Sequence, residues 1–197
     1  MNKQLSLLSE ITQKSSRIIL GLMSGTSLDG LDMALCECSE SSVKVLEFKT
    51  VEYDAGLRAR LRAVQSKQTV DLQEVCVLNT ELAHLYSSWI IEAIEEWNFS
   101  VKDVDAIASH GQTLYHQPGD DFNSTLQIVD GDHIAQKTGI ITISDFRQKH
   151  TAAGGEGAPL VALMDDVLFR HESKNRVLLN LGGIANFTWL PAKQSGK

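Results

Sequence analysis

Cysteine is scarce and unevenly placed: Cys36, Cys38 and Cys76 are the three in 197 residues. An odd count with no metal-binding spacing leaves no disulfide framework, so they read as reduced structural thiols. Cys36 and Cys38, two apart, would share one face of a strand. Basic residues are also few, 18 against 25 acidic, for a formal charge of -7. That balance argues against a general nucleic-acid or anionic-membrane binder, so an anionic ligand must be held by local groups. Long hydrophobic runs are missing too. The longest early one, Ile18 to Met23, is far too short for a bilayer, and Glu10, Lys14 and Arg17 around it do not make a secretory signal. A cytoplasmic location is the expectation. What is present, 43% hydrophobic and 22% charged residues, is ordinary for a globular chain with a sizeable core.

Residues 1–16 are polar and unpatterned, and read as a flexible extension or one frayed helix. Arg17 to Met23 and Leu31 to Cys38 are strand-like runs around an elaborate loop, and Val43 to Tyr53 reads as a third strand. Leu57, Leu61 and Val64 suggest a short helix. A longer one starts at Asp71, which with Glu74 resembles a capping box, and Leu72, Val75, Leu78, Leu82, Leu85, Trp89, Ile90 and Ile94 keep helical spacing. Short strands follow at Val104 to Ser109, Leu126 to Val129 and Ile140 to Ser144. Helices are expected at Asp132 to Lys137, closed by Gly139, and at Ala158 to His171. The sum is an α/β fold with a mixed sheet, in the order of a ribonuclease-H-like domain. Val177 to Leu190 repeats the strand, glycine loop, strand plan of the first hairpin. The expected organisation is therefore a first lobe over 17–173 and the start of a second over 174–197, without the elements that would cover a lone hairpin.

Three segments carry chemistry. Gly25-Thr26-Ser27-Leu28-Asp29-Gly30 lies between two strands, and glycines, hydroxyls and a carboxylate together suit a triphosphate with magnesium. The same residues also suit a tight hairpin turn, and no Walker sequence is present. Asp145-Phe146-Arg147 follows a buried strand and precedes a glycine-rich stretch containing Gly154 and Gly155. Asp145 at such a strand end is a candidate general base, or else an ion-pair partner of Arg147. Ser109 to Thr113 also falls where a strand is expected to end, and His110 and Gln112 offer donors suited to sugar hydroxyl or carbonyl groups, unless the lone histidine is a structural hydrogen-bonder. His84, His116, His133 and His171 show no paired metal spacing, and His150 reads as a loop residue.

Gly21 to Asp32 resembles the first phosphate motif of anhydro-N-acetylmuramic acid kinases. Ser109 to Thr113, Thr125 to Ile128, Asp145 to Arg147, Gly154-Gly155, Gly157 to Leu160 and Leu181 to Asn186 resemble later motifs of that family, in order. The resemblance implies two ribonuclease-H-like lobes of the actin and hexokinase type, with ATP, magnesium and 1,6-anhydro-N-acetylmuramic acid between them, and a homodimer. It places Gly25 to Asp32, including Leu31, with Gly182 and Gly183 on the ATP phosphates, and Asp29 near the magnesium. Asp145 becomes the base, and His110, Gln112, Arg147, Gly154 and Gly155 the sugar contacts. A related sugar kinase of other specificity, or a binding module without turnover, is the alternative. The sequence departs from the family pattern at His150 in place of Asp, Glu156 in place of Gln and Val129 in place of Gly. Family members are also about twice this length, so the fragment by itself is expected to be inactive.

Overall fold

The computed structural model describes residues 3–119, 122–181 and 185–193. Its centre is a mixed sheet. β1 (Ser16–Ser24), β2 (Gly30–Ser39) and β3 (Val43–Glu52) form an antiparallel meander, with Met23 opposite Asp32 and Gly30 opposite Glu52. β4 (Ala106–Gln117) then joins β1 in parallel, and β5 (Ser124–Ile128) joins β4 antiparallel. The resulting order is β3-β2-β1-β4-β5, with short β6 (Thr142–Ile143) parallel to the first part of β4. This mixed α/β arrangement is the expected one.

Six helices accompany the described strands. α1 (Lys3–Gln13) occupies the segment read as an extension or a single helix; its Ile11 is buried, and Lys14 after it pairs with the buried Asp105. α2 (Ala55–Val64) buries Leu57, Leu61 and Val64, the three positions its spacing indicated. α3 (Leu72–Glu96) buries Leu78, Leu82, Tyr86, Ile90 and Ile94, a stripe with four-residue steps laid on the sheet. Leu20, Leu22, Leu31, Met33 and Leu35 meet it from β1 and β2, alternate residues as strand geometry requires. Each such side chain contributes on the order of 1.5–3 kcal/mol by leaving water.

Three expectations need correction. Asp71 caps α3 by accepting the Gln73 amide, but Glu74 turns away to accept from Arg60, so the reciprocal half of a capping box is absent. β4 does not stop at Ser109. It continues to Gln117 through Gly111, whose φ of +74° kinks the strand and whose missing Cβ would lie 2.5 Å from the Ile128 carbonyl. That glycine lets one strand change partners, from β6 to β5, without breaking. Finally, the helix expected at 158–171 is shorter, α6 (Ala162–Phe169), and an additional helix α5 (Phe146–Ala152) forms where the sequence suggested a loop.

α4 (Gly131–Thr138) ends at Gly139 in the left-handed conformation, as its sequence indicated. β7 (Arg176–Leu181) and β8 (Ala185–Leu190) form a separate antiparallel pair. One face packs on α6, where Thr188 donates to Asp165 at 2.7 Å. The opposite face places Val177 beside Trp189 and Leu179 beside Phe187, and all four are more than half exposed. The Gly182 and Gly183 expectation lies outside the described residues.

Val129, at the corner between β5 and α4, has φ 89° although it is β-branched and buried. Its amide donates to Asn79 Oδ1 at 2.8 Å, which pins the corner to α3. Such a backbone stores on the order of 1–3 kcal/mol of strain, similar to the roughly 1.5–3 kcal/mol gained by burying a valine. Val129→Gly should therefore change unfolding free energy by less than about 1 kcal/mol in urea titration. A loss above about 3 kcal/mol, as for an unstrained core position, would show that the strain is not there.

Candidate active site

The loop between β1 and β2 is held by three kinds of constraint. Gly30 lets β2 approach β3 closely, since a Cβ there would sit 2.2 Å from the Val51 carbonyl oxygen. Leu28 adopts φ 59° and is 1% exposed, so its side chain anchors the loop in the core. Leu31 is likewise a core residue, and neither leucine presents a side chain to solvent.

Beneath the loop runs a buried hydrogen-bond chain. Tyr86 bonds to Tyr53, whose hydroxyl lies 2.8 Å from Ser24 Oγ; that hydroxyl lies 2.6 Å from Gln112 Oε1 and 2.9 Å from the Gly30 carbonyl. Ser24 has one proton to give, so it donates to one of those two oxygens at a time. Gln112 Nε2 closes the chain by donating to the Gly25 carbonyl at 3.2 Å. Burial raises the Tyr53 and Tyr86 hydroxyls above the ordinary tyrosine range, which keeps them neutral donors. Gln112 is fully buried, and its amide serves the loop, not a cleft surface.

The loop forms one wall of a cleft of about 710 Å³. Gly25, Thr26, Ser27, Asp29, Gly30 and Asp32 line it, joined by His110 and Arg147. Asp29 is exposed to the cleft, while Asp32 accepts from Thr50 Oγ1 at 2.6 Å. Asn180 and Asn186, paired across β7 and β8, also reach the cleft. Asn186 falls at the end of the Leu181 to Asn186 motif and Asn180 just before it, and the sequence singled out neither.

His110 and Arg147 come together from β4 and α5. Arg147 Nε donates to His110 Nε2 at 2.8 Å, so that nitrogen carries a lone pair; the other, Nδ1, is 3.0 Å from the Gly111 carbonyl and must donate to it. This fixes a neutral imidazole with its proton on Nδ1. Burial lowers the His110 pKa, and the Arg147 charge adds to that effect against the opposing Gly111 bond. Burial also lowers the pKa of Arg147.

Asp145 stands apart from this cleft. It heads α5 in the left-handed conformation with an exposed side chain, whose one hydrogen bond among the described residues comes from Ser144 Oγ at 3.3 Å. It lines a neighbouring polar hollow with Asp130, Asp132 and Gln127. Arg147 bonds to His110, and no ion pair between Asp145 and Arg147 occurs among the described residues. Gly154 and Gly155 form the turn after α5, and Ala158 is the residue of that segment on the cleft. His150 is not a loop residue. It lies in α5, and its Nδ1 accepts from the Gly157 amide at 3.1 Å with its ring filling the space a Gly155 Cβ would need.

The sequence profile of anhydro-N-acetylmuramic acid kinases matches residues 17–196. The chain belongs to that family. It is 49% identical to an anhydro-N-acetylmuramic acid kinase of Pseudoalteromonas atlantica, over 97% of this chain and 50% of that protein. Similar relatives occur in Pseudoalteromonas translucida, 45% identical over 97% of this chain and 50% of the relative, and in Bacillus thuringiensis, 44% identical over 90% and 48%. The chain thus spans about half the length of the curated relatives it matches. No described helix is long and apolar enough to cross a membrane.

His110 gives a direct test of the site's electrostatics. Its folded pKa lies below the unfolded value of about 6.5, so its contribution to stability is present above about pH 6.5 and is lost as pH falls through the folded value. Nitrogen NMR of the histidine rings should show the Nδ1–H form at pH 7 and a midpoint below the ordinary histidine range. A midpoint at or above that range would contradict the Arg147 bond.

Proposed function

We propose that the chain supplies half of the active site of an ATP-dependent kinase acting on 1,6-anhydro-N-acetylmuramic acid in cell-wall recycling. The reaction adds water across the anhydro bridge and phosphorylates the freed O6, giving N-acetylmuramic acid 6-phosphate. The observation that carries this reading is the convergence of the Gly25–Asp32 loop and the His110–Arg147 pair on one cleft in a member of this family.

The roles follow from the chemistry of each group. Gly25, Thr26 and Ser27 offer backbone and hydroxyl donors for phosphate oxygens, on a loop already fixed from below. Asp29 and Asp32 supply carboxylate oxygens at the same wall, a donor set that fits magnesium, which takes one or two carboxylates with phosphates and water. Bound there, magnesium would neutralise charge on the transferring phosphate. Arg147 spends Nε on His110 and keeps its other N–H donors for the sugar.

Asp145 accepts one long hydrogen bond, so its lone pairs remain open to a water molecule. As general base it takes the proton of the water whose oxygen attacks the anomeric carbon. The bond from that carbon to O6 breaks, O6 attacks the γ-phosphorus in line as the bond from phosphorus to the bridging oxygen breaks and ADP leaves, and the proton held by Asp145 passes to solvent. Because Asp145 lies outside the loop-lined cleft, the sugar has to bridge the start of α5, with its anomeric carbon toward Asp145 and O6 toward the phosphates. The hairpin of β7 and β8, with Gly182 and Gly183, holds the phosphates from the other side. Its bare face of Val177, Leu179, Phe187 and Trp189 is the surface that further elements of a second lobe would cover in a chain as long as the relatives, of which this one spans about half. A cytoplasmic homodimer completes the reading.

Residues 1–197 alone should release no sugar-dependent ADP, whereas a chimera joining them to the second half of the Pseudoalteromonas atlantica relative should do so. Asp145→Asn in that chimera should slow turnover by on the order of 10²-fold or more. A folded chimera without sugar-dependent turnover would overturn the proposed reaction, and near-normal activity of the Asn variant would remove Asp145 from its role. Asp29→Ala should raise the magnesium concentration needed for half-maximal rate. An unchanged magnesium titration would assign the ion to other groups.

A further inference from the structure

α3 and α4 each present a histidine to the same point on the surface, away from the cleft. His84 Nε2 and His133 Nδ1 lie 3.3 Å apart, with ring centroids 5.2 Å apart and planes inclined by 60°. Two imidazoles joined by a straight N–H···N bond of that length would hold their centroids about 5.6 Å apart, because each nitrogen lies about 1.15 Å out from its ring centre. The shorter spacing means that the pair is bent away from a straight bond. A symmetric arrangement with both spacings has its lone-pair axes meeting at roughly 110°, about 2.0 Å from each nitrogen, the bond length and angle of a tetrahedral zinc site.

The two helices are rigid where this happens. Leu82 and Ala83 before His84, and Ile134 after His133, are fully buried. Asn79, one turn before Ala83, accepts the Val129 amide and so ties the start of α4 to α3. Neither histidine therefore has to move its backbone to bring the nitrogens together, which is the condition for a site that exists before its ion arrives.

The geometry points to a divalent transition-metal site formed by His84 and His133, with two further positions open to water. Imidazole pairs select zinc, nickel or copper over magnesium, whose preference is for oxygen. The site is thus chemically distinct from any cation that accompanies a nucleotide. An ion held there links two helices, and stabilises the fold as any ligand specific to the native state does.

Titration of the chain with zinc chloride, by calorimetry and by thermal melting, tests this in a buffer containing excess magnesium. The expected result is one ion per chain and a rise in Tm of about 5 °C at a zinc concentration a hundredfold above half-saturation. His84→Gln and His133→Gln should each abolish both signals while melting normally without zinc. Absence of a zinc response would overturn the site. A response retained in either variant, as from Cys36, Cys38 or Cys76, or one removed by magnesium, would overturn it equally.

Discussion

Ser24 is where the fold and the site become one structure. Its hydroxyl is within hydrogen-bonding distance of groups from three other parts of the chain: the Gly30 carbonyl across the loop, Tyr53 after β3, and Gln112 within β4. Tyr86 extends the chain into α3. A polar network of this kind is stable in a dry interior because its members satisfy one another, and removing one leaves others without partners. The loop above it can therefore be short, glycine-rich and still fixed, as the proposed role in phosphate binding would require.

Much of the architecture was legible from periodicity. The alternation in β1 and β2 and the four-residue steps of α3 are direct consequences of burying one face, and they gave the right element types. The details that failed have physical causes. Leu72 opens the apolar pattern of α3 but is 77% exposed; Tyr86, invisible to an aliphatic pattern, is fully buried. β4 was read as too short because Gly111 looks like a terminator, whereas here it is a bend inside a continuous strand. α5 lacks a capping side chain and a buried face, so its residues gave no helical signal.

The site was legible in its residues more than in their roles. Gly25, Thr26, Ser27, Asp29, Gly30, Asp32, His110 and Arg147 were all identified and share one cleft, whereas Leu28 and Leu31 of the same segment point into the core. Gln112 was identified for its amide, but that amide is turned inward to the Gly25 carbonyl, a commitment that depends on a residue far away in sequence. The Arg147 bond to His110 is of the same kind. An Asp145–Arg147 pair is a natural alternative for neighbours in sequence, yet helix α5 directs the two side chains to different hollows. Val129 stands where the family pattern has Gly, and the backbone there has positive φ, a conformational reason that the resemblance did not supply.

The parallel pairing of β1 with β4 has a consequence for how the chain folds. Ile19 finds Ala106 only after the whole meander and α3 have been laid down between them. The meander and α3 are local and can form early, in microseconds for single hairpins and helices. The β1–β4 register closes a loop of most of a domain's length, and it carries the last contacts of the hydrogen-bond chain through Gln112. Chains dominated by such distant pairings fold in milliseconds to seconds. The loop between β1 and β2 thus draws its support from two distances along the chain, Gly30 and Tyr53 within reach of the meander and Gln112 only through the distant pairing. The full network under the place where the ligand would rest therefore requires the most non-local contact of the sheet.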